Sequence, residues 1–215
     1  MRRVKASPRE VHSDAVSFHW LPSRVRYWLQ ICRLPPRAAV FYVRALRLAR
    51  KADDEWSLIS ATAPHHLLLL LRLARGRRRV VELGTGSAWG TVVLALGDPR
   101  RSVRSFDPFD LGGRERYLAL AGAARKRITL YPRPGAEPDG ESADFVFIDS
   151  SHGYEDTVSE FRAWLPHLEP RAIVVFHDYE SFEVARAIDS LALDGKNVKG
   201  VYVWTATQSG DFVNR

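Results

Sequence analysis

The stretch Val80-Val81-Glu82-Leu83-Gly84-Thr85-Gly86-Ser87-Ala88-Trp89-Gly90-Thr91 constrains this chain more than any other part of it. A β-branched run that stops at two glycines and resumes as Val92-Val93-Leu94-Ala95-Leu96 reads as strand, tight turn and helix start. Such a turn points free backbone N–H groups at whatever binds there, and its glycines leave no Cβ in the way of a close ligand. A Gly-x-Gly alone suits an ordinary βα connection equally well, so the rest of the chain has to decide.

Downstream, apolar runs alternate with helix-compatible segments. Strands are expected at 80–83, 102–106, 128–131, 145–148 and 172–176, with helices at 88–96, 114–125, 154–165 and 182–193. A late strand at 200–205 is expected to pair with 211–213. Upstream, 57–74 reads as one helix with Pro64 near its start and Leu67, Leu68, Leu70 and Leu71 as core candidates. Nearly all-apolar strands alternating with helices indicate an α/β fold, a Rossmann-like doubly wound, mostly parallel sheet covered on both faces.

Composition narrows the class. Of 215 residues, 46% are hydrophobic, enough to bury a full core. The longest apolar run, Leu67 to Leu71, is far too short to span a bilayer, and no signal-type apolar block follows the basic start. A cytoplasmic protein is expected. Cys32 is the only cysteine, which excludes an internal disulfide and a thiolate metal cluster; it is expected to be buried or half-buried. The net charge of +7 is uneven: residues 1–52 hold twelve basic and two acidic residues, an excess of ten, so the remainder is slightly acidic.

Within that basic region, 1–20 reads as a loose arm and 23–34 and 37–51 as helices. The second of these gathers Phe41, Tyr42, Ala45, Leu46, Leu48 and Ala49 on one side. The expected division is a basic helical extension over 1–56 and a catalytic domain over 57–215. The charged face reads as solvated surface that packs its apolar side on the domain, membrane contact being the alternative. No nucleic-acid partner is expected, and self-association is left open.

In open α/β sheets ligands bind outside the carboxyl ends of the strands. Four strand ends here are polar: Glu82 with the glycine turn, Asp107, Asp149 and His177-Asp178. They are expected to converge on one cleft. Asp107, ending the second strand, can accept hydrogen bonds from ribose hydroxyls. A dinucleotide fingerprint needs a third glycine where Trp89 stands, and Glu82 adds negative charge. Both disfavour a pyrophosphate, and hence a nicotinamide oxidoreductase, and favour a cationic or zwitterionic nucleoside.

Asp149 and Asp178, at the tips of strands expected to be adjacent, are hard oxygen ligands suited to Mg²⁺, Mn²⁺ or Ca²⁺. His177 could be a third ligand or could orient Asp178. His152, three residues after Asp149, could take a proton from a substrate hydroxyl. A metal-free route with His152 or His177 as base stays open. His65 and His66 read as surface or lid residues.

Glu82-Leu83-Gly84-Thr85-Gly86 with an acidic residue after the second strand resembles motif I and its partner in class I S-adenosylmethionine-dependent methyltransferases. The segments Phe147-Ile148-Asp149-Ser150-Ser151-His152-Gly153-Tyr154-Glu155, Trp164-Leu165-Pro166 and Val174-Val175-Phe176-His177-Asp178-Tyr179 are more specific. They resemble the small bacterial branch of metal-dependent sugar and macrolide-sugar O-methyltransferases. The resemblance spans about residues 57–203. It implies a seven-stranded sheet with the last strand antiparallel. It also implies S-adenosyl-L-methionine as cofactor, held by Glu82, Gly84, Thr85, Gly86, Ser87, Asp107 and Asp149. It further implies Mg²⁺ or Mn²⁺ at Asp149, His177 and Asp178, with Asp149, His152 and His177 at the reacting centre. That family often has an acid where His177 stands.

The implied activity is methylation of a hydroxyl on a small molecule, a sugar or glycoside first and a phenol or catechol second. An Asn/Asp-Pro-Pro-aromatic signature of adenine or glutamine N-methylation is missing, since Asn197 and Asn214 are the only asparagines. A non-catalytic basic binding module on the same fold is the remaining alternative.

Overall fold

The apolar run before the glycine turn forms β1 (Arg79–Leu83), whose alternation sends Val80 to one face of a sheet and Val81 and Leu83 to the other. The computed structural model describes residues 23–109 and 113–207. In it β1 is central, parallel to β2 (Ser102–Phe106) on one side and β4 (Ala143–Ile148) on the other. With β3 (Ile128–Tyr131), β5 (Leu168–Phe176), β6 (Lys196–Val198) and β7 (Val201–Thr205), the sheet order is β3-β2-β1-β4-β5-β7-β6. The first five strands are parallel and β7 runs antiparallel to both neighbours. This is the sheet that the family resemblance implies.

One face carries Val80, Phe145, Phe147 and Val175 under α5 (Trp89–Gly97), α2 (Pro36–Lys51) and α4 (Pro64–Leu73). The other carries Val81, Leu83, Val146, Ile148, Val174 and Phe176 under α7 (Tyr154–Trp164) and α8 (Phe182–Ser190). Central strands buried on both faces explain the near-continuous apolar runs. The basic segment contributes to this core. From α2, Ala38, Phe41, Tyr42, Ala45, Leu46 and Ala49 are buried in the same cluster as Val80 and Trp89, while α1 (Ser23–Cys32) adds Ile31. Each large side chain so buried is worth about 1.5–3 kcal/mol.

The structure departs from the expected elements where the backbone is interrupted. The helix expected over 57–74 is two: α3 (Glu55–Ser60) ends and α4 begins at Pro64. Proline lacks an N–H and pushes its predecessor out of the helical region, and Ala63 is extended at φ −61°, ψ 147°. The helix expected over 114–125 is α6 (Arg114–Leu118) followed by tight 3₁₀ turns over Ala119–Arg127, broken at Gly122, φ +56°. β7 pairs with β5 on one edge and with β6 on the other, a short polar strand whose single apolar residue gave no alternation to read. Residues 211–213 and 1–20 lie outside the described residues. Cys32 is exposed rather than buried. No helix among the described residues is long and apolar enough to cross a membrane.

Candidate active site

The glycine turn is built for close approach. Gly84 has φ +95°, and a Cβ there would overlap the carbonyl of Asp149, so only glycine lets the β1 end pack on the β4 end. Backbone hydrogen bonds zip the strand tips together: Gly84 N–H to Phe106 O (2.8 Å), Asp149 N–H to Leu83 O (2.8 Å) and His177 N–H to Ile148 O (2.9 Å). These parallel ladders bring Glu82, Asp107 and Asp149 to a cavity of about 540 Å³. His177 and Asp178 are not in its wall but stand behind Asp149 and His152.

Glu82 is 2% exposed. It accepts hydrogen bonds from Thr91 Oγ1 and from Ser105 Oγ (2.7 Å). A Cβ on Gly90 would lie 2.5 Å from its Oε1, so the first turn of α5 must be bare here. Burial pushes its pKa up to about 8; the two hydroxyl bonds oppose the rise and the Asp149 charge adds to it. Burial thus favours the protonated acid and weakens the negative charge expected from the sequence to repel phosphate. Trp89 likewise does not stand over the turn: its ring packs between Tyr42 and Tyr117, 5.1 and 5.4 Å away, at the edge of the cavity.

Asp107 Oδ2 accepts from Gly86 N–H and from Arg114 Nη2, both at 2.9 Å, and Oδ1 accepts from Phe109 N–H at 2.9 Å. Arg114 also donates from Nε to Gly86 O at 2.8 Å and from Nη2 to Phe109 O at 2.8 Å. One buried guanidinium thus ties the turn, the acid after β2 and the loop beyond it into a single unit.

At the β4 and β5 ends the charges are tightly linked. Asp149 Oδ1 lies 3.2 Å from His152 Nε2 and 2.9 Å from His177 Nδ1. Asp178 Oδ1 is 3.2 Å from His177 Nδ1, and its Oδ2 is 3.7 Å from His152 Nε2. Burial alone would raise the Asp149 carboxyl, but the two imidazoles outweigh it and hold it below the ordinary range. The Asp149 hydrogen bond raises His152. Burial opposes protonation of His177, yet Asp149 and Asp178 push it up to about 10. His152 and Asp178 both hold left-handed backbone conformations, φ +59° and +48°, a strain that clusters at functional sites.

Three further residues enter from elements whose side chains sequence reasoning placed elsewhere. Thr62, in the break before Pro64, directs Oγ1 at Asp149 Oδ2, 3.4 Å away. His66, expected at the surface or on a lid, has Nδ1 3.0 Å from His177 Nε2 and Nε2 3.0 Å from Lys199 O. A carbonyl only accepts, so His66 Nε2 carries its proton, and Nδ1 of the neutral ring accepts from His177 Nε2–H. His66 is held neutral first by burial and then by the neighbouring His177 charge. His65 remains exposed as expected. Arg114 is the third.

One carboxylate and two imidazoles come together here, a donor set of mixed oxygen and nitrogen character. One ligand atom from each of Asp149, His152 and His177 lies within 4.8 Å of the others. His177 Nδ1 is buried and off the hydrogen-bond direction of both carboxylates, so it is an ion-pair contact with no directed partner. Loss of the Nδ1 proton would free a lone pair there while Nε2–H stays anchored on His66, the way a ligating imidazole is normally held.

Residues 81–179 match the family described as a methyltransferase domain. The uncharacterized protein y4gI of Sinorhizobium fredii is 26% identical over 123 residues, 48% of this chain and 13% of that protein, so the chain spans only a small part of the curated relative it matches. Among solved structures, cofactor-bound Rv0187 from MTB is similar at TM-score 0.62 and 22% identity, over 76% of this chain and 90% of that one. The O-methyltransferase TomG from Streptomyces achromogenes, solved with SAM, is similar at TM-score 0.59 and 22% identity, over 76% of this chain and 89% of that one. The chain has the class I methyltransferase fold.

Proposed function

We propose that this protein transfers the methyl group of S-adenosylmethionine to a hydroxyl oxygen of a small molecule, with a sugar or glycoside as acceptor. The observation that carries the reading is the adjacency of two sites. The glycine turn, Glu82 and Asp107 line one cavity, Asp149 and His152 stand in the same wall, and His177 lies behind them. In this reading Gly84, Thr85, Gly86, Ser87 and Glu82 take the methionine part, and Asp107 takes the ribose. The acceptor oxygen attacks the methyl carbon in line, the carbon–sulfur bond breaks, and the sulfonium becomes a neutral thioether. The hydroxyl proton passes to His152, whose ring borders the cavity. Holding donor and acceptor in line supplies most of the rate.

Asp149, His177 and Asp178 would hold Mg²⁺ or Mn²⁺, which when bound supplies Lewis-acid activation of the hydroxyl. Asp149 faces His152 and His177 and accepts from Thr62, so it fixes the two imidazoles relative to each other.

Calorimetry tests the cofactor: S-adenosylhomocysteine should bind and NADH should not, and the reverse order would defeat the assignment. With S-adenosylmethionine and a panel of sugar and phenolic acceptors, EDTA should suppress turnover and Mn²⁺ restore it. Turnover of phenols alone would move the acceptor class, and turnover indifferent to EDTA would remove the metal.

A further inference from the structure

The N-terminal helices carry two features that methyl transfer does not use. The first is an apolar stripe left facing outward. On α1, Val25, Trp28 and Leu29 are 42%, 45% and 39% exposed, and Cys32 is exposed as well. Their spacing places them on one face of the helix. The other side of α1 is already packed, with Ile31 buried and Tyr27 against Tyr42 of α2. The second feature is a basic cleft of about 300 Å³ where the stripe ends. Arg33 and Pro35, just past α1, line it together with Leu68, Leu71, Arg72 and Arg75 from the end of α4, and with Arg101. Arg101 is 1% exposed and gives its hydrogen bonds to the carbonyls of Ala74, Arg77 and Leu94, so no carboxylate offsets its charge by direct contact. The cleft's single carboxylate, Asp98, is engaged by Arg100, whose N–H donates to Oδ1 at 2.8 Å and whose Nη2 lies 3.3 Å from Oδ2.

Charge decides what covers this face. No acidic residue occurs between Asp14 and Asp53, so every charged side chain of α1 and α2 is basic. On α2, Arg37, Arg44, Arg47 and Lys51 are exposed at helical spacing. A two-fold contact with a second copy would set these cations against themselves. Nucleic acid would meet the arginines and leave the Trp28 stripe in water. An anionic bilayer satisfies both features, because apolar side chains enter the boundary between headgroups and acyl chains while guanidiniums bind phosphate oxygens. We propose that α1 docks on an anionic membrane surface, with Val25, Trp28 and Leu29 in the interface and a lipid phosphate held in the cleft by Arg72 and Arg75. A tryptophan is suited to that depth, and the basic residues of α2 add attraction to the charged leaflet. The docking is peripheral and independent of the reaction proposed above.

Co-sedimentation of the full chain with vesicles tests the proposal, comparing phosphatidylglycerol–phosphatidylcholine mixtures with phosphatidylcholine alone at about 0.1 M salt. The anionic vesicles should bind at least about tenfold more tightly, and the difference should shrink as salt is raised. Each arginine at an anionic leaflet contributes about fivefold, so Arg72→Ser with Arg75→Ser should weaken binding about 25-fold. Trp28→Ser with Leu29→Ser should weaken it by at least about tenfold through the lost apolar burial. All four side chains are exposed, so both double variants should unfold at the wild-type temperature. Equal binding to the two kinds of vesicle, or unchanged affinity in either double variant, would overturn the proposal. Inorganic phosphate that displaces the protein at a concentration equal to the lipid phosphate would make the cleft a site for a soluble anion instead. Tighter binding to duplex DNA than to anionic vesicles, or a dimer that Trp28→Ser with Leu29→Ser abolishes, would likewise overturn it and assign the face to that partner.

Discussion

Replacing Glu82 by glutamine should remove a pH-dependent loss of stability from the ligand-free protein. Glu82 titrates at about 8 in the folded chain against 4.5 for the unperturbed group, because it is buried. A raised carboxyl pKa means that the folded state holds the proton more tightly than the unfolded state. Its stabilising contribution is complete below 4.5 and is lost as pH rises through about 8. Between pH 6 and pH 9 the folded state gives up a proton that the unfolded chain has already lost. That interval covers about two units below the folded pKa, and at about 1.36 kcal/mol per unit the loss is about 2.7 kcal/mol. Glutamine keeps the shape and can bond Thr91 and Ser105, but it has no proton to lose. Glu160 contributes a smaller loss of the same sign in both proteins, so the difference between them isolates Glu82. Urea titrations of both proteins at pH 6 and pH 9 give the comparison. An equal decline in the two would mean that Glu82 is ionised in the folded protein at neutral pH.

The same protonation couples to ligand binding. A ligand ammonium seated beside Glu82 should draw off its proton, so S-adenosylhomocysteine should release up to one proton at pH 7, seen as a buffer-dependent heat and lost in Glu82→Gln. His152→Ala should lower the methyl-transfer rate by at least about 10²-fold with Mn²⁺ affinity unchanged. A fall in Mn²⁺ affinity with it would place His152 among the ligands instead of at the base position. His66→Ala should leave the fold intact but weaken Mn²⁺ binding by about 10–100-fold, read by electron paramagnetic resonance, because His177 loses the partner that orients its ring. Unchanged Mn²⁺ affinity would show that His177 needs no such support.

What was readable in advance and what was not follow one physical division. Glu82, Asp107, Asp149, His177 and Asp178 end parallel strands. Because a parallel sheet places its strand ends along one edge, alternation and chain order suffice to collect them. His66 and Arg114 reach the site from the starts of helices and Thr62 from the break between two, so their positions depend on how a helix is broken and docked. From the sequence, 57–74 reads as one continuous helix and His66 as a surface or lid residue. Pro64 instead ends that helix, turns the chain through Thr62 toward Asp149, and starts a new helix whose first turn faces His177. The signal was present in the sequence. Two consecutive histidines directly after a proline sit in the first turn of a helix, where one of the two must face whatever the helix packs on. Arg114 carries no comparable signal, because its partner Asp107 already had a role and its placement depends on Gly113, whose φ of +72° admits the chain into α6. The chemistry at the strand ends thus comes from topology, whereas the groups that hold it in place come from backbone breaks. His66 is the plainest case, since moving Pro64 by one residue would rotate the first turn of α4 by about 100° and take the imidazole away from His177.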